Sequence, residues 1–88
     1  MNSVVENIGN WRGIETGRTY NFGCYIGTLG AKLGVYDGES WKYTKPCSDD
    51  GCWEWLEQSF VVKDKKLAKL AIVGKDVKHS APILVLEK

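Results

Sequence analysis

The chain has 88 residues, enough for one domain with a single hydrophobic core and too few for two. A hydrophobic share of 43% beside 26% charged residues is that of an ordinary folded protein, and no apolar run approaches the roughly 18 residues a membrane helix needs. The net charge of +1, with only two arginines, argues against a strongly basic nucleic-acid binder.

Charge is nevertheless uneven along the chain. Residues 1–60 hold five basic and eight acidic side chains, whereas residues 61–88 hold seven lysines against Asp64, Asp76 and Glu87. Folding can turn this into two opposed patches or intermix it. Intermixing is the expectation, because most charged side chains are simply solvated. The N-terminal MNSVVENIGNWRG lacks the basic start and apolar core of a signal peptide, and three cysteines cannot all pair. The expected setting is therefore cytoplasmic, with the cysteines as thiols.

In chain order, Ser3-Val4-Val5-Glu6 has the form of a capping box and Gly9 that of a stop, which predicts a short helical turn. Over residues 18–28, Tyr20, Phe22, Cys24 and Ile26 alternate with Asn21, Gly23, Tyr25 and Gly27, the period of a half-buried strand. Gly23 and Gly27 flank Tyr25 on the outer face, so the strand should curve or accept a ring or backbone at close range.

Residues 31–35 and 39–45 predict a hairpin. A two-residue Asp37-Gly38 loop would send Leu33 and Trp41 to different faces. A three-residue Tyr36-Asp37-Gly38 loop, with Gly38 left-handed, sets Leu33 opposite Trp41, Ala31 opposite Tyr43 and Lys32 opposite Lys42, and is the preferred register.

The next segments read two ways. Asp49 or Asp50 can cap a helix through Trp53, Leu56, Glu57 and Phe60, yet Trp53, Trp55, Val61 and Val62 equally suit a strand. Residues 64–74 carry a capping Asp, good helix formers and a terminal Gly, but they set lysines at the positive end of a helix dipole. Residues 82–87 predict a well-buried closing strand. The expected architecture of residues 1–88 is a single α+β domain: a small antiparallel sheet, with strands near 18–28, 31–35, 39–45 and 82–87, and one or two short helices. An all-β, barrel-like arrangement is the alternative.

Cys47-Ser48-Asp49-Asp50-Gly51-Cys52-Trp53-Glu54-Trp55-Leu56-Glu57 concentrates the candidate chemistry. Cys47 and Cys52 have a spacing that zinc sites use, and Cys24 with His79 would complete a Cys₃His set. Only one pair has the local spacing, so zinc is a lesser alternative, as is a reversible Cys47–Cys52 disulfide; no cofactor is expected. Catalytic machinery is not evident. His79 and Ser80 would point apart on a strand, Asp49 and Asp50 oppose a Cys52 thiolate, and Gly27-Thr28-Leu29-Gly30 matches a GXXG clamp but sits between strands.

Four Trp and four Tyr exceed what so small a core readily hides. Tyr25 and Tyr36 fall outside the inward set, and one of Trp53 and Trp55 must be the more exposed. The expected function is a small non-enzymatic module, inhibitor- or adaptor-like. It would present Asp49, Asp50, Trp53, Glu54, Trp55 and Glu57 to a basic site on another protein. The alternative is nucleic-acid binding through Lys63, Lys65, Lys66, Lys69, Lys75 and Lys78. Nothing indicates a membrane or a small-molecule substrate.

Overall fold

A computed structural model describes residues 3–87. Seven strands form: β1 (Ser3–Asn7), β2 (Thr19–Ile26), β3 (Lys32–Tyr36), β4 (Trp41–Tyr43), β5 (Glu54–Val61), β6 (Lys69–Val73) and β7 (Ile83–Leu86). They make two antiparallel sheets, ordered β1-β6-β3-β4 and β5-β2-β7. The inner faces meet in one core. Tyr20, Phe22, Cys24, Ile26, Leu56 and Phe60 come from the three-stranded sheet, and Leu33, Val35, Leu70 and Ile72 from the four-stranded one. Each sheet keeps two open edges, so the molecule is a sandwich and not a barrel.

The α+β expectation is corrected. Among the described residues the only helical piece is a 3₁₀ turn, Lys65–Leu67. After Asp50 the chain becomes β5 because Leu56 and Phe60 face the core while Trp55, Glu57 and Ser59 face out, a period of two. Its eight-residue ladder with β2, from Thr19↔Val61 to Ile26↔Glu54, satisfies the backbone of both strands. In the 64–74 stretch Asp64 does cap, accepting a bond from Lys66 N at 3.0 Å, but only for that single turn. Lys69–Val73 then fills the space between β1 and β3, where Leu70 and Ile72 are buried. Ser3 to Glu6 is likewise strand, since β-branched Val4 and Val5 pair with β6 instead of starting a helix. The closing strand forms where expected, yet it is not well buried. β7 pairs only with β2, and its Ile83 and Val85 project outward while Leu84 packs on the core.

The hairpin takes neither anticipated register. Tyr36 pairs with Trp41, Val35 with Lys42 and Gly34 with Tyr43, around a loop of residues 37–40. That register follows from Asp37, whose Oδ1 accepts bonds from Glu39 N (2.8 Å) and Ser40 N (2.9 Å), the local closure an Asx residue favours. Gly38 takes the positive φ expected of it, 109°, and a Cβ there would strike Asp64. The Asp37 carbonyl also accepts bonds from Lys63 N (2.8 Å) and Asp64 N (3.0 Å), which fastens the hairpin to the chain leaving β5. Asp37 is thus the one charged residue in the buried set, with Oδ2 unpartnered among the described residues.

Burial by itself pushes the Asp37 carboxyl up. The Ser40 and Glu39 amides, with Lys63 and Lys42 nearby, together outweigh it and hold the group below the ordinary range. Stabilisation from a lowered carboxyl is present above about pH 4 and is lost as pH falls through the folded value. Asp37→Ala should therefore cost about 1–2 kcal/mol in urea unfolding at neutral pH, and the deficit relative to the native chain should shrink in acid.

Candidate functional site

Pairing register assigns every side chain to a face. On the outside of the three-stranded sheet the cross-strand pairs are Tyr25↔Trp55, Gly23↔Glu57 and Gly23↔Ile83, then Asn21↔Ser59 and Asn21↔Val85, then Thr19↔Val61. Tyr25 and Trp55 meet edge to face with ring centroids 5.0 Å apart. The Trp55 ring lies against the bare backbone of Gly23, and the Trp53 ring lies against Gly27, where Cβ atoms would collide with or crowd them. The glycines flanking Tyr25 therefore serve ring approach. Trp53 is 56% exposed and Trp55 38%, with Ile83 and Val85 open beside them. Glu57 accepts a bond from Asn21 Nδ2 (2.7 Å), and Glu87 accepts one from Ser59 Oγ (2.6 Å). No lysine or arginine projects from the described strands of this face.

The outside of the four-stranded sheet is built on the same plan with the opposite charge. Its rows are Asn7↔Lys69↔Tyr36↔Trp41 and Val5↔Ala71↔Gly34↔Tyr43, with Lys32 beside Val73 in the next. Trp41 lies 5.3 Å from Tyr36 and stacks on Tyr43 at 5.8 Å with 9° between planes. Tyr43 comes down on Gly34, which again has no room for a Cβ. Lys32 Nζ sits 4.5 Å over the Tyr43 ring and Lys69 Nζ 5.2 Å over that of Tyr36, each a cation–π contact. Lys32 lies beside Val73 and not opposite Lys42, because Lys42 points to the other side of β4.

The six acidic and aromatic residues expected to act together are divided. Trp53, Trp55 and Glu57 share the outer face, but Glu54 alternates away from it. There its carboxylate meets Lys45 Nζ at 2.8 Å, Ser48 N at 3.0 Å and Ser48 Oγ at 3.1 Å. The Lys45 hydrogen bond first, then those from Ser48, hold the Glu54 carboxyl down at about 2. Glu54 thus anchors the loop before β5. Asp49 and Asp50 lie in the bend preceding β5, where Asp50 Oδ1 accepts from Leu29 N at 3.4 Å.

The six lysines of the alternative reading do not form one surface either. Lys65 and Lys66 lie in the 3₁₀ turn, Lys63 pairs with Glu39 at 3.5 Å, and Lys75 and Lys78 follow β6. Only Lys69 stands against an aromatic ring. Lys32, outside that lysine-rich segment, stands over a second ring.

Among the described residues no group of Cys, His, Asp and Glu is placed to hold a metal, so Cys24, Cys47, Cys52 and His79 do not assemble. All three cysteines are free. The Cys24 thiol donates to Ser80 O at 3.3 Å, and burial raises its pKa. Cys47 donates to Asp49 O at 3.1 Å instead of bonding to Cys52. Between β1–β6 and β7 the sandwich opens into a groove of about 390 Å³. Phe22, Leu70, Ile72, Leu84 and Trp11 line it, with Glu6 and His79 as its ionisable groups.

Comparison with protein-family models, with curated proteins and with solved structures finds no match.

Two outcomes check this geometry. A thiol reagent should modify exposed Cys52 at once and reach buried Cys24 and Cys47 only on unfolding. Gly23→Ala should drive the Trp55 ring off the sheet, seen as a change in Trp emission, at a cost of about 1–3 kcal/mol.

Proposed function

We propose that this chain is a non-enzymatic interaction module whose outer β5-β2-β7 face docks on a basic, apolar-rimmed patch of another protein. One observation carries the reading. Tyr25, Trp53, Trp55, Ile83 and Val85 are exposed together, and the charges among them, Glu57 and Glu87, are all negative. Exposed apolar area of this kind commonly marks a contact surface, and rigid Trp and Tyr rings give large buried area at small entropic loss. A lysine or arginine at the rim of the partner would meet Glu57 and steer the encounter.

Trp53, Trp55 and Glu57 remain in this surface, joined by Tyr25. Glu54 leaves it, because its carboxylate is already engaged by Lys45 and Ser48. The three free thiols support a reducing, cytoplasmic setting. Among the described residues no helix is long and apolar enough to cross a membrane.

The test uses an oligo-arginine peptide carrying one apolar residue as the probe, followed through Trp fluorescence. Trp55→Ala and Glu57→Lys should each weaken binding by about tenfold, the size of a 1.4 kcal/mol hot-spot loss; Glu57→Lys should leave thermal stability nearly unchanged, and Trp55→Ala should lower it without unfolding the chain. Glu54→Lys should leave binding intact and lower stability instead. If Trp55→Ala unfolds the chain, or if Glu57→Lys binds the peptide as the native chain does, the proposal fails.

A further inference from the structure

The outer face of the four-stranded sheet is a second surface, independent of the one just described. Three features distinguish it. Tyr36, Trp41 and Tyr43 form a continuous ring array, with adjacent centroids 5.3 and 5.8 Å apart. A lysine ammonium closes each end, Lys32 over Tyr43 and Lys69 over Tyr36. No carboxylate projects from the described strands of this face, and neither lysine has an acidic partner among the described residues. The only charges that project from the described strands of this face are therefore positive, in a chain whose net charge is only +1.

We propose that this face binds single-stranded nucleic acid, with bases stacking on the Tyr36–Trp41–Tyr43 array and phosphates held by Lys32 and Lys69. Charge complementarity selects an anionic ligand, and the rings select one that presents flat π faces. Single strands offer both together, because their bases are free to splay onto an aromatic platform. A duplex keeps its bases stacked internally and so offers these rings no free base face. In the free protein each ammonium rests on a tyrosine. Moving it to a phosphate uncovers that ring for a base, so one side-chain swing prepares both contacts.

The measurement is binding of fluorophore-labelled oligo(dT) and oligo(U) at low salt, read as the anisotropy of the label. Affinity should fall steeply as salt rises. The double variant Lys32→Glu/Lys69→Glu, which leaves the core untouched, should bind at least about tenfold more weakly. Its slope of log affinity against log salt should be shallower by about 1.4, two phosphate contacts at about 0.7 each. Trp41→Ala should lose affinity to a similar degree, while Trp55→Ala should bind as the native chain does. The proposal is overturned by absence of binding at low salt, by unchanged affinity in the lysine variant, or by equal affinity for duplex DNA. Equal affinity for a neutral glucan would assign the platform to carbohydrate instead.

Discussion

Rings laid on bare backbone are the constraint from which both outer surfaces follow. Trp55 over Gly23 and Tyr43 over Gly34 each need a position without a Cβ, and Trp53 over Gly27 would be crowded by one. A large side chain on the outside of a sheet would otherwise stand away from it and sample several rotamers. Close approach removes that freedom and buries one part of the ring while leaving another in water. Sheet stability and surface display are thereby the same contact. The four-stranded sheet adds two cation–π contacts that continue the ring array to its lysines.

The charges of the two faces do not descend from the charge asymmetry along the chain. The positive face takes Lys32 from the acidic first part and Lys69 from the basic remainder. The negative face takes Glu57 from the first and Glu87 from the second. Position along the chain was intermixed, as expected, and polarity reappeared through register alone. The two proposed contact faces thus lie on opposite layers and carry charges of opposite sign.

What could be read from residues alone was whatever depended on near neighbours. The alternation of Tyr20, Phe22, Cys24 and Ile26 defined β2 and its buried side, because a period of two is visible within eight residues. Strands at β3, β4 and β7 were likewise legible. The hairpin register was missed because it rests on the Asp37 side chain closing a four-residue loop, and alignment of hydrophobic sets cannot see that bond. The strands β1, β5 and β6 carry helix-start signals in the sequence because capping is local, whereas the pairings that override it join residues far apart. The site suffered from the same blindness. Glu54 and Trp55 are sequence neighbours yet point to opposite sides of a strand, and Lys32 lies far from the lysine-rich segment.

The topology also bears on how the molecule comes into being on the ribosome. Apart from the β3–β4 hairpin, each strand is followed by one in the other sheet, and β1 bonds only to β6. β1 must therefore wait, its edges unsatisfied, until residues 69–73 have emerged. Each layer waits on a strand from the last part of the chain, β6 for one and β7 for the other, so assembly is late.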